Sequence, residues 1–139
     1  MVGGQVLDIM SEERTLTEQE VIDIQVRTTG ALIRAACMLG VLAGNGSEKQ
    51  LEAAGEFASH VGLAFQIRDD MLDVIGSREE MGKSVGTDEL KNTLVRLYGI
   101  DTCSKLVDTY TEKAIRALDA FDDASYMSAL AKSLTERRV

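Results

Sequence analysis

Apolar residues in this sequence recur three and four positions apart, the spacing of one helix face, and there is no convincing run of alternating β-branched residues to mark a strand. The clearest stretch follows Ser47-Glu48-Lys49-Gln50. This is a capping box, in which the first and last side chains satisfy each other's free backbone N–H groups. From there Leu51, Ala54, Phe57, Ala58, Val61, Phe65 and Leu72 mark a helix expected to end at Gly76. An earlier box, Thr17-Glu18-Gln19-Glu20, opens a helix through Val26, Leu32, Ile33 and Leu39 that stops near Gly44-Asn45-Gly46. Residues 30–44 are apolar on nearly every side, which predicts a central, buried position.

The polar residues 77–88, with Gly82 and Gly86, read as a loop holding at most one turn. Residues 90–98 predict a short helix closed by Gly99, and Asp101 is placed to cap a longer one towards Phe121. After a break at Asp122-Asp123-Ala124-Ser125, Met127, Leu130 and Leu134 mark a last helix. The fold class is all-α, a helical bundle. Gly3-Gly4-Gln5-Val6-Leu7-Asp8-Ile9 has no capping signal ahead of it and reads as the interior of something longer. Residues 1–139 are therefore expected to be a single segment of a larger all-α domain.

Composition agrees with helices: there is no Pro and no Trp, and aromatics make up 4%. The formal net charge of −8 leaves no broad cationic field for a phosphate backbone, so no nucleic-acid partner is expected. Small anionic ligands stay open, because metal ions bridge carboxylates to phosphates. Cys37 and Cys103 are isolated from any C-x-x-C or Cys/His pattern, which fits a reduced, cytoplasmic setting. The first residues carry neither a basic nor an apolar leader pattern. The most apolar stretch, residues 31–43, is interrupted by Arg34 and falls short of the roughly 20 residues a spanning helix needs. No membrane span is expected.

The segment Phe65-Gln66-Ile67-Arg68-Asp69-Asp70-Met71-Leu72-Asp73 carries the most chemistry. Asp69 and Asp73, four apart, project from one side of a helix, with Gln66 three before and Asp70 beside them. Like charges at this spacing destabilise a helix by a few tenths of a kcal/mol, a cost that bound cations remove. Three hard carboxylates suit Mg²⁺, which shares its shell with waters and substrate phosphates. A D-D-x-x-D run also describes a solvated acidic face. The apolar remainder of the helix (Phe65, Ile67, Met71, Leu72, Val74, Ile75) favours a lined cavity instead. Downstream, Gly82-Lys83-Ser84-Val85-Gly86-Thr87-Asp88 and Lys91-Asn92-Thr93 offer lysines that can meet phosphates as mobile point charges. The spacing is not that of a Walker loop. His60, the only histidine, has no partner for a nucleophile or metal set and reads as a packing or helix-surface residue. Lys132 and Glu136-Arg137-Arg138 read as a solvated helix end.

Taken in order, Gly4-Gln5-x-x-Asp8, Thr29-Gly30-Ala31-Leu32, Phe65-Gln66-x-x-Asp69-Asp70-x-x-Asp73 and Gly82-Lys83 resemble the motifs of the C-terminal half of trans-isoprenyl diphosphate synthases. This is the farnesyl and geranylgeranyl diphosphate synthase family. The resemblance covers essentially the whole chain. It implies half of a helical barrel around a deep cavity, homodimerisation, and an Mg²⁺-dependent condensation of an allylic diphosphate with isopentenyl diphosphate. It further implies that Asp69, Asp70 and Asp73 bind Mg²⁺, that Lys83 and Lys91 contact diphosphate, and that Gln66 and Thr29 line the site near the allylic C1. Asp69, Gln66, Thr29 and Lys83 are thus the expected catalytic set.

Three features depart from the family pattern. Thr28 stands where the family has Lys, only two residues separate Asp88 from Lys91, and no Pro follows that Lys. The resemblance makes Asp69-Asp70-x-x-Asp73 the family's second aspartate-rich motif; the first, which would face it, is absent, since Asp122-Asp123 continues as Ala-Ser-Tyr and no other D-D-x-x-D occurs. The chain is accordingly expected to be half of an enzyme, inactive alone, and to self-associate or pair with a missing N-terminal half. The competing expectations are a non-catalytic helical subunit that partners an active synthase, and an unrelated acidic interaction module.

Overall fold

A computed structural model describes residues 2–11, 14–80 and 92–136, with the side chains of 77–80 set aside. Among the described residues seven α-helices form: α1 (Val2–Met10), α2 (Glu18–Gln25), α3 (Ala31–Ala43), α4 (Glu48–Glu80), α5 (Leu94–Tyr98), α6 (Ile100–Ala117) and α7 (Ser125–Thr135). A π-helical turn, Val26–Gly30, joins α2 to α3 without a break, and a 3₁₀ turn, Leu118–Ala120, closes α6. No strand occurs among the described residues.

Both capping boxes are present. Glu20 N donates to Thr17 Oγ1 at 3.4 Å while Thr17 N donates to Glu20 Oε2 at 2.9 Å. The second box repeats this, with Gln50 N to Ser47 Oγ at 3.2 Å and Ser47 N to Gln50 Oε1 at 2.9 Å. The Arg14 guanidinium, bonded to Glu20 at 2.8 Å, and the Thr17 amide and hydroxyl hold the Glu20 carboxyl down to about 2. A carboxylate whose folded pKa is depressed adds stability that is complete above its unfolded value of about 4.3 and is lost as pH falls towards the folded value. We predict that thermal stability declines with acid between these limits, and that Glu20→Gln flattens this part of the profile. An unchanged acid limb in Glu20→Gln would remove the box from the account.

The long helix α4 is the spine. It packs along α6 and α3 and is crossed by the π turn. Leu63, Ile67 and Met71 of α4 meet Val21 of α2, Leu94 and Val95 of α5, and Cys103 and Val107 of α6 in one core cluster. A second cluster joins Phe57 and Val61 to Ala114, Leu118 and Ala131, tying in α7. Asn92 fixes the start of α5 to the connection between α1 and α2. Its Nδ2 donates to Ser11 O and Arg14 O at 3.0 and 2.9 Å, and its Oδ1 accepts from Leu16 N at 3.1 Å.

Several expectations are corrected. No residue of α3 is buried, and Leu32, Leu39 and Leu42 are 59%, 63% and 56% exposed. Apolar composition states what a helix tolerates on its surface, and the outer side of α3 has no neighbour among the described residues. Gly76 does not end α4, which runs on to Glu80. A mid-helix glycine costs about 1 kcal/mol and does not by itself break a helix. Residues 77–80 are thus helical where a loop was expected, and the rest of that loop lies outside the described residues. The helix expected over 90–98 begins at Leu94, under an N-cap in which Thr93 Oγ1 accepts from Arg96 N at 3.2 Å. Asp101 is not a cap but lies in the first turn of α6, which starts behind Gly99. Gly99 has φ +77°, the left-handed region open to glycine. The uncapped first segment is itself a helix, α1, and Gly4 makes its seat. A Cβ there would lie 2.7 Å from the Arg27 carbonyl carbon, so only glycine lets α1 rest on the π turn.

Because α2, the π turn and α3 are continuous, the run Glu18–Ala43 spans 26 residues with a mean hydropathy of 1.4 in its most apolar window. By length and composition alone it is enough to cross a membrane, which the sequence reading, stopping at residues 31–43, did not credit. In this structure the same run is seated on α4 through Gln25 and Gly30.

Candidate functional site: the acidic face of α4

Gly62, Gln66, Asp69 and Asp73 follow one another at steps of four, three and four, so they share one side of α4. At Gly62 that side touches the π turn closely enough that a Cβ would come 3.2 Å from the Gly30 Cα. Two turns further along α4, Gln25 Nε2 donates to Asp70 Oδ2 at 3.0 Å. Residue 30 thus meets residue 62 and residue 25 meets residue 70, so the two helices run antiparallel. Thr29 lies between those contacts in the chain, next to Gly30.

The π turn makes this double contact possible. Positions five apart in an α-helix point about 140° away from each other. A turn closed by i→i+5 hydrogen bonds brings positions 25 and 30 back towards the same side, and such turns recur at functional sites. Thr28, in the middle of that turn, directs its hydroxyl to its own backbone, at 2.9 Å from Ile24 O and 3.1 Å from Gln25 O. Arg27 is exposed and paired with Asp23 at 3.4 Å. Neither residue supplies α4 with a cation in place of the lysine that the family pattern has at Thr28.

Gln66, Asp69 and Asp70 are half-buried and Asp73 is exposed. Asp70 meets α2 and α6. Besides its bond to Gln25 it lies near Cys103 of α6, whose thiol is pushed up to about 11, first by burial and then by the Asp70 charge. Among the described residues no three His, Cys, Asp or Glu side chains are placed to hold a metal ion by themselves. The donor chemistry nonetheless fits Mg²⁺ in company with phosphates, where the protein supplies one or two carboxylates and waters and phosphate oxygens complete the octahedron. Asp69 and Asp73, one turn apart, could supply that pair. Lys83 and Lys91 lie outside the described residues.

Sequence reasoning missed Gln25 and the anchoring role of Asn92. Residues 22–26 read Ile-Asp-Ile-Gln-Val, so Gln25 does not stand out from Asp23 by pattern, and its direction depends on a π turn that periodicity does not reveal. His60 is placed as expected, on the helix surface. Its ring stacks on Tyr110 at 6.0 Å between centroids, with Lys113 Nζ 5.2 Å above the tyrosine. Burial, then the Lys113 charge, lower its pKa.

The all-α fold is shared with solved isoprenyl diphosphate synthases. A putative farnesyl-diphosphate synthase from Marinomonas sp. MED121 superposes with a TM-score of 0.81 at 29% identity, covering 97% of this chain and 46% of that one. The polyprenyl synthetase pattern matches residues 1–132, and the chain belongs to that family. Farnesyl diphosphate synthase of Micrococcus luteus is 41% identical over 128 residues, 88% of this chain and 44% of that protein. The large subunit 2 of a heterodimeric geranylgeranyl pyrophosphate synthase of Arabidopsis thaliana is 37% identical over 126 residues, 87% of this chain and 34% of that protein. The chain spans less than half the length of these relatives.

Proposed function

We propose that this chain contributes one carboxylate wall of the site of a prenyl diphosphate synthase, which joins an allylic diphosphate to isopentenyl diphosphate with Mg²⁺. The observation that carries the reading is the helix face shared by Gln66, Asp69 and Asp73, beside the Asp70 carboxylate that Gln25 holds. Asp69 and Asp73 would hold Mg²⁺, which would supply positive charge against the departing diphosphate. Asp69 and Asp73 bind and orient the cation, with Asp70 fixed beside them. The Gln66 amide and Thr29 hydroxyl turn oxygen lone pairs towards the allylic carbon as it becomes cationic. Lys83 and Lys91 reach the diphosphate as point charges.

A second reading is a non-catalytic helical subunit that partners an active synthase. Thr28, which spends its hydroxyl on its own helix where the family has lysine, favours it. Reconstitution separates the two. The chain is co-expressed with an N-terminal segment of the Micrococcus luteus enzyme that carries a first aspartate-rich motif, and the product from labelled isopentenyl diphosphate is measured. Product formation that is lost with Asp69→Ala supports the catalytic reading. Product that is insensitive to Asp69→Ala supports the second, and no product with an intact complex contradicts the first.

A further inference from the structure

Gln25 is 9% exposed and is only half satisfied. Its Nε2 donates to Asp70 Oδ2 at 3.0 Å, whereas its Oε1 is, among the described residues, the one buried side-chain polar atom without a partner. The amide cannot be reversed to relieve this, because its carbonyl would then face a carboxylate, and neither group could donate. A leucine or methionine would fill the same space without burying an unsatisfied acceptor, which is destabilising. The presence of an amide is therefore explained by Asp70, and by what reaches the edge of the Asp70 carboxylate.

From this geometry, and resting on the reading of the acidic face as a cation–diphosphate site, we infer that Gln25 is a positioning residue for that site. Its N–H fixes the orientation of Asp70 beside Asp69 and Asp73. Its buried Oε1 accepts a hydrogen bond from a water in the shell of a hydrated divalent cation, and Mg²⁺ keeps several such waters when it binds to phosphates. Groups in this supporting position orient the carboxylates that meet the metal, and their loss weakens metal affinity about 10–100-fold. The π turn is part of the device, since it starts directly after Gln25 and allows the side chain to face α4 together with Gly30.

The test is Mn²⁺ binding to the full chain in the presence of pyrophosphate, read from the electron paramagnetic resonance signal of free Mn²⁺, with thermal unfolding recorded alongside. Gln25→Met keeps the shape and removes both polar atoms; it is expected to weaken Mn²⁺ at least about tenfold. In an Asp70→Ala background the same change is expected to weaken it less than about threefold, because effects of residues acting through one another do not add. Gln25→Asn, too short to reach Asp70, is expected to match Gln25→Met and serves if the latter does not fold. No loss in either variant, or an equal loss with and without Asp70, overturns the inference. Asp69→Ala serves as the control on the underlying reading. If it binds Mn²⁺ as the parent does, the site itself is wrong; if it weakens binding while Gln25→Met does not, only the role of Gln25 is wrong.

Discussion

Incubated alone with labelled isopentenyl diphosphate, geranyl diphosphate and Mg²⁺, the chain is expected to form longer prenyl diphosphates at least about 1000-fold more slowly than the reconstituted pair, the scale of losing a principal electrostatic contact to developing charge. The 139 residues hold one D-D-x-x-D, so on the proposed reading a departing diphosphate would be gripped from a single side. Asp73 is already exposed, and on the open side of the site water screens the carboxylates and traps any carbocation formed. The acceptor also lacks residues to hold it against the allylic carbon, and orientation of that kind accounts for several kcal/mol of a barrier. Sustained product formation by the purified chain, lost with Asp69→Ala, would contradict this expectation.

The second large effect is on assembly. Leu32, Leu39 and Leu42 lie at steps of seven and three along α3, forming one exposed apolar stripe, and Val6, Ile9 and Met10 of α1 are 49%, 59% and 74% exposed. Covering even a few hundred Å² of such surface at about 25 cal/mol per Å² is worth several kcal/mol. The chain is expected to be dimeric or larger by light scattering at high micromolar concentration. The pair Leu32→Glu and Leu39→Glu should shift it to monomer with its helical circular dichroism intact. A parent chain that is monodisperse and monomeric at that concentration would count against the covered stripe.

Most of the fold was legible because its signals are local. Thr17 and Ser47 announce helix starts through side chains that bond three residues on, and both boxes form as read. The acidic face was legible for the same reason, since steps of three and four on an uninterrupted helix fix a common side. Signals that depend on a neighbour were not legible. The apolar run of α3 looks identical whether or not another element covers it. Gly76 and Gly4 are both helical glycines, yet a Cβ at Gly76 meets nothing and one at Gly4 meets the Arg27 backbone. The approach of Gln25 to Asp70 joins residues 45 positions apart across a π turn, and no pattern in the chain encodes that phase change.

The most direct measurement is a calorimetric titration of the chain with pyrophosphate, in saturating Mg²⁺ and again in chelator, on the parent and on Asp69→Ala. The account predicts binding that requires Mg²⁺ and is weakened at least about tenfold by Asp69→Ala. Binding of equal strength with and without Mg²⁺, or in parent and variant alike, would contradict the assignment of the α4 carboxylates to a cation–diphosphate site.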